Sequence, residues 1–182
     1  MEKFILNQEQ AVVMIIDIQE RLVPAMIVAD DIIHKTNILI AAAKELQLPI
    51  ITTEQYPKGL GPTVAQIKSH IDPNYIFEKT SFTAYTNQVK STLKELGRKK
   101  IIVTGMETHI CVFQTVRDLL FEGYEVFIVS DAICSRTKTN YKNALALMRD
   151  MGAVITNTES VLFDLLKEAG TPQFKALSRL IK

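Results

Sequence analysis

Residues 11–17, Ala-Val-Val-Met-Ile-Ile-Asp, constrain the fold most: six apolar residues in succession, closed by an acid. A strand with one wet face alternates polar and apolar side chains. A strand apolar on both faces belongs inside a parallel sheet that is covered on each side. Further strands are predicted at 49–54, 75–79, 100–104, 125–131 and 153–156. Helical spacing falls between them. One helix starts at Asp30 or Asp31, either acid serving as N-cap, and stops before Pro49; a short one occupies 63–69. Others run from about Thr83 to Leu96 with Gly97 closing it, from the Cys111 region to near Gly123, from about Asn140 to Met151, and through Leu166 with Thr158 as cap. Residues 55–63 and 132–139 read as loops. Strands alternating with helices imply βαβ units, and 182 residues suffice for one α/β domain over 1–182. The tail places Phe174, Leu177 and Leu180 or Ile181 on one face, to cover either the sheet edge or a partner subunit.

Composition excludes several classes. Nearly half the residues are hydrophobic, which argues against disorder, and the net charge of +1 gives no footprint for nucleic acid. No stretch approaches the length of a membrane span, and the first ten residues lack a signal peptide's apolar run. Two cysteines make no disulfide framework, so a reducing, cytoplasmic setting is expected. The function of such a domain must come from a site.

In a doubly wound sheet, ligands bind at the carboxyl ends of the strands. Asp17, Lys79 and Cys111 each follow a predicted strand at that end, as do Glu54, Gln55 and Asp131. Cys111 lies in Ile-Ile-Val-Thr-Gly-Met-Glu-Thr-His-Ile-Cys-Val (101–112), where strand gives way to helix. The helix dipole and unpaired amides there are expected to lower the thiol pKa. An acid, a lysine and a cysteine form a coherent nucleophilic device. Asp17 takes the thiol proton, Lys79 keeps the acid ionised and supports the thiolate, and Cys111 attacks an electrophilic carbon. Backbone amides between Glu107 and Cys111 can receive the oxyanion.

Five segments together carry a resemblance: MIIDIQ around Asp17, TEQYPKGLGPT, KTSF at Lys79, GMETHICV at Cys111, and SDAICSR. In order and spacing they resemble the isochorismatase-like cysteine hydrolases, and among these the small isochorismatase-domain proteins. The resemblance implies a three-layer α/β/α sandwich with a six-stranded parallel sheet in the order 3-2-1-4-5-6. It implies an Asp17–Lys79–Cys111 triad, a non-proline cis peptide at Met106–Glu107, and an oligomer. Nicotinamidase-type members hold a metal with an Asp-x-His pair and a further histidine. The loop after strand two has no histidine, and His34, His70 and His109 lie far apart, so neither a metal nor another cofactor is expected. Isochorismatase proper lacks the nucleophilic cysteine, so Cys111 points instead to hydrolysis of a small-molecule amide, imide or related acyl compound. The expected partners are that substrate and further copies of the chain, with no nucleic acid and no membrane.

The candidate substrate-binding residues are Gln19, Glu54, Gln55, Phe82, Glu107 and Thr108. Glu54 and Gln55 either bind substrate or pin the Pro/Gly loop. Phe82 either walls the pocket or is simple core. Glu107 and Thr108 act through their backbone, His109 is a first-turn helix residue, and Cys134 is a small loop residue near the site. The rival reading is a non-catalytic binding, scaffold or redox-sensing module on the same fold. A nuclease reading lacks a basic groove. One tension remains in the expected sheet order: strand three lies two places, about 10 Å, from strand one. For Lys79 to reach Asp17, the chain at 77–82 must bend inward over strand two.

Overall fold

In a computed structural model that describes residues 1–181, strand β1 (Ala11–Ile16) is buried along its whole length. Its alternate side chains feed two separate cores. Ala11, Val13 and Ile15 join one cluster, and Val12, Met14 and Ile16 join the other. Each of the larger side chains, Val12 to Ile16, stabilises the fold by about 1.5–3 kcal/mol through burial. The other strands are β2 (Ile50–Gln55), β3 (Ile76–Lys79), β4 (Lys100–Met106), β5 (Glu125–Cys134) and β6 (Val154–Thr156). They form a six-stranded, wholly parallel sheet in the order β3-β2-β1-β4-β5-β6.

Helices α1 (Ala29–Glu45), α3 (Ala65–Lys68), α7 (Thr158–Leu166) and α8 (Pro172–Leu177) cover the Val13 face. Helices α4 (Asn87–Leu96), α5 (Phe113–Phe121) and α6 (Lys138–Asp150) cover the Met14 face, and α2 (Pro57–Leu60) is a single turn after β2. The tail settles on its own core: Leu177 is buried, and Phe174 and Ile181 pack beside it.

Several boundaries differ from the sequence reading for local reasons. Helix α1 starts at Ala29 with no side-chain cap, which puts Asp30 and Asp31 in its first turn, where they face the positive end of the dipole. Helix α4 starts four residues late because Thr86 caps it by accepting from the Val89 amide. Helix α6 starts early, with Thr137 as cap. Asn157, not Thr158, caps α7. Thr158 instead binds Asp131, its amide and hydroxyl donating to Oδ1 at 2.8 and 2.9 Å.

Strand β5 runs on to Cys134, so Ala132–Cys134 are sheet, not loop. Between the pairs Val103↔Ile128 and Gly105↔Ile133, β5 carries extra residues that arch away from β4. Gly105 sits at that irregularity with φ +128°, and a Cβ there would collide with the Ile16 backbone of β1.

Candidate active site

The two central strands β1 and β4 end side by side, with Asp17 and Cys111 beyond those ends, and Lys79 reaches them from the end of the edge strand β3. Asp17 follows β1 in a left-handed conformation, φ +54°, its amide donating to the Thr53 carbonyl at 3.1 Å. Its Oδ1 accepts from the Thr53 hydroxyl at 2.7 Å and its Oδ2 from Lys79 Nζ at 2.7 Å. Both side chains of that ion pair are 0% exposed.

Lys79 spans the gap through Gln55, its register partner on β2. Its Nζ donates to Gln55 Oε1 at 2.6 Å on the way to Asp17. The chain after β3 curls under the ammonium, and the carbonyls of Ser81 and Phe82 accept from it at 3.3 and 3.2 Å. The tension over sheet order is resolved in this way: the side chain passes over strand two, and the 80–82 segment follows it.

Cys111 is buried at the other wall and interacts with both the carboxylate and the ammonium. The turn that carries it, Thr108–Val112, is π-helical, and α5 begins only at Phe113. The peptide Met106–Glu107 is cis. The expectation of a lowered thiol pKa is not met. Burial pushes the Cys111 thiol up to about 12, the Asp17 charge adds to the shift, and Lys79 opposes it. Burial also raises the Asp17 carboxyl above its ordinary range, while Lys79, then Thr53 and Cys111, pull it back. Burial thus holds the thiol toward its protonated form, beside an acid whose basicity it has increased.

Comparison with known proteins gives the family of the chain. The Isochorismatase domain profile matches residues 10–160. The chain belongs to the isochorismatase family of hydrolases. It is 40% identical over 177 residues to a secreted isochorismatase effector, Isc1, of Phytophthora sojae, covering 94% of this chain and 84% of that one. To isochorismatase domain-containing protein 2 of Xenopus laevis it is 37% identical, covering 97% and 85%. Among solved structures, the MAR1 ribonuclease of Caenorhabditis elegans superposes with a TM-score of 0.92 at 37% identity, covering 97% of this chain and 91% of that one. The YcaC gene product of Escherichia coli, an octameric hydrolase of unknown specificity, gives 0.90 at 25% identity, covering 97% and 89%.

The remaining candidates of this isochorismatase-family chain divide between bracing and display. Gln19 is wholly buried: its Nε2 donates to the Gln55 and Gly61 carbonyls at 3.0 and 2.7 Å, and its Oε1 accepts from the Gln55 amide. Glu54 is also buried and holds the Thr63 amide at 2.7 Å, so it pins the loop after β2. Gln55 links Lys79 to the Thr80 carbonyl. Phe82 is neither core nor covered, at 54% exposed on the 80–86 loop. Thr108 is buried with its hydroxyl unpartnered. Glu107 acts through its side chain as well as its backbone, Oε2 accepting from the Arg136 amide and Nε at 3.0 and 3.1 Å. His109 Nδ1 contacts Ser135 Oγ at 2.9 Å.

A cleft of about 480 Å³ runs along Tyr56, Lys79, Thr80 and Ser81, and one of about 700 Å³ lies beyond the end of β5, bounded by Ile27, Ile133 and Arg136. Among the described residues, no three His, Cys, Asp or Glu side chains are grouped to hold a metal, and no helix is long and apolar enough to cross a membrane.

Sequence reasoning missed Thr53, Arg136 and Thr115. Thr53 lies on a strand already identified, on the face turned toward Asp17. Arg136 was read as part of a loop. Thr115 sits one helical turn after Cys111, and that spacing was its available signal.

Proposed function

We propose that this chain is a cysteine hydrolase of small-molecule amides, imides or related acyl compounds, working through a thioester on Cys111. One observation carries the reading: a fully buried Lys79–Asp17 pair at 2.7 Å, near enough to the Cys111 thiol for both charges to act on it. Burying two charges costs several kcal/mol each even when paired, and a scaffold role gives no reason to place a thiol beside them.

The neutral thiol sets the order of events. Asp17 withdraws the Cys111 proton as Sγ bonds to the acyl carbon, so a free thiolate need not accumulate. The carbonyl π electrons move to oxygen. The amides of Ile110 and Val112 already donate to the Glu107 carbonyl, so we assign the oxyanion to the Cys111 amide, which adjoins the attacking sulfur. Collapse of the intermediate breaks the C–N bond, and protonated Asp17 gives its proton to the departing nitrogen. Water then adds to the thioester, Asp17 taking one proton, and the S–C bond breaks. The acid leaves and Asp17 returns the proton to sulfur. Lys79 offsets the carboxylate charge whenever Asp17 is ionised.

We further propose one domain over the whole chain, a homo-oligomer on the pattern of the octameric YcaC protein, and a reducing cytoplasmic compartment suited to two free buried cysteines. The ribonuclease activity named for the worm relative is not extended to this chain, whose net charge of +1 offers little to neutralise a phosphate backbone. The test is a screen of small amides, imides and esters, with mass-spectrometric trapping of the acyl adduct. Turnover is expected with an adduct on Cys111, and none in Cys111→Ala. A Cys111→Ala protein that keeps the wild-type rate on any substrate found would end this reading.

A further inference from the structure

Lys79 and Cys111 reach the site from opposite directions, one from the edge of the β2–β3 half of the sheet, the other from the turn after β4. The lysine is fixed at its strand end, where its carbonyl accepts from the Tyr56 amide at 2.7 Å. Beyond it, Ser81 and Phe82 are exposed, although their carbonyls receive the ammonium. Nothing in those two side chains anchors the segment to the body. The next fixed point is Ala84, which is wholly buried and whose amide donates to Thr115 Oγ1 at 2.7 Å. That hydroxyl in turn donates to the Cys111 carbonyl at 2.6 Å.

A threonine hydroxyl has one proton and can accept as well. Here both capacities are used, and each partner fixes the direction of the other. The amide of Ala84 can only donate, so the hydroxyl proton must go to Cys111. Thr115 is itself 0% exposed, so water cannot substitute for either bond. One side chain thus joins the segment that seats the ammonium to the residue that carries the sulfur.

We infer that Thr115 is a positioning residue that sets the distance between the Lys79 ammonium and the Cys111 sulfur by tying the 80–84 segment to the nucleophile's own carbonyl. The inference rests on the reading of Cys111 as nucleophile and adds to it a residue that touches neither the substrate nor the reacting atoms. Loss of the hydroxyl leaves the buried Ala84 amide unpaired and removes the bond that ties it to the Cys111 carbonyl. The 80–84 segment then relaxes from α5, and the ammonium loses its fixed relation to the thiol.

The experiment follows alkylation of Cys111 by iodoacetamide across a pH series, located by peptide mass spectrometry, in the wild type, Thr115→Val and Thr115→Ser. In the wild type, reactivity should rise as Asp17 ionises and then level off. Thr115→Val, matched in shape but without the hydroxyl, should lose the level region by about tenfold or more, its rate climbing with pH instead. Thr115→Ser should restore the wild-type profile. A purely structural threonine would lower the melting temperature without altering the profile's shape, so a folded Thr115→Val with an unchanged profile overturns the inference. A serine variant that behaves like valine does the same.

Should the valine protein not fold, hydrogen exchange in the wild type still decides. The Ala84 amide must be protected relative to those of Phe82 and Thr83, and equal exchange at all three overturns the proposal. A wild-type Cys111 inert at every pH removes the nucleophile reading and this inference with it. A reactive wild type with an indifferent Thr115 removes this inference alone.

Discussion

Two buried carboxylates, Asp17 and Glu107, each have a basic partner, but the two pairs are built differently. On the β1–β3 side, Asp17 and Lys79 are 0% exposed and every hydrogen bond of the pair is internal. On the β4–β5 side, Glu107 is buried but its partner Arg136 has a side chain 57% exposed, and half of the carboxylate's support is the Arg136 backbone amide. The buried pair places charge where bonds change. The half-open pair fixes a backbone turn and leaves its cation in water. The difference follows from dielectric: a charge pair shielded from solvent keeps its field, and one at the rim is screened.

The comparison breaks most sharply on removal of the cations. Lys79→Met should leave Asp17 buried without its cation, and cost about 3–5 kcal/mol. Arg136→Met keeps its own amide bond to Glu107, and should cost less than about 1 kcal/mol. Urea unfolding of both variants measures the contrast, and equal losses would mean that the two pairs are alike. Activity should divide the same way. Asp17→Asn is expected to lower turnover about 10²–10⁴-fold, the usual worth of a general base. Glu107→Gln retains an acceptor for the Arg136 amide, and should cost less than about tenfold.

The pH dependence sharpens the picture further. The Asp17 carboxyl is raised by burial, so its base form is lost on acidification at a pH above the ordinary carboxylate value of about 3.9. Cys111 reactivity should therefore fall on the acid side before most surface carboxylates protonate. In Asp17→Asn that limb should vanish, and the rate should rise with pH toward the thiol's own ionisation, which drops below its wild-type position because the Asp17 charge no longer raises it. A wild-type profile that tracks a free thiol near 8.5 instead would show that Asp17 takes no part in the proton transfer.

The same contrast explains what the sequence made legible. Ala11–Ile16 declares a central strand because burial on both faces leaves no polar alternate position, and the sheet order follows from the resemblance carried by five short segments. Asp17, Lys79 and Cys111 could be named because strand ends are where such a sheet presents its chemistry. The thiol's environment was not legible. A dipole argument takes its sign from local sequence, but burial depends on how β1, β4 and the 80–84 segment close together, and here burial outweighs the dipole. The role of Gln19 is hidden for a similar reason, and the sequence leaves Glu54 between binding substrate and pinning the loop, which is where the structure uses it. Both lie beside a strand end, yet their partners are backbone groups of the 55–63 loop, which no side-chain motif announces. The sequence pattern ends the fifth strand at Asp131, because Ser130 and Asp131 interrupt the apolar run, whereas pairing with β4 resumes at Ile133.

The smallest expected effect concerns the second thiol. Cys134 ends β5, is buried, and has its thiol pushed up to about 12 by burial, with Glu107 contributing. It packs in the core cluster of the Val13 face, whereas Cys111 packs in that of the Met14 face, so the sheet separates the two sulfurs. A resolving role would require one of them to cross between strands. Cys134→Ala should therefore cost about 1 kcal/mol as a small buried apolar group, with the rate of Cys111 alkylation unchanged. Peroxide treatment of the wild type should leave no linked Cys111–Cys134 peptide on non-reducing mass spectrometry. Detection of that linked peptide at high yield would mean that the β4–β5 side opens far enough to bring its thiol through, and the rigidity assigned to the Glu107–Arg136 side would have to be withdrawn.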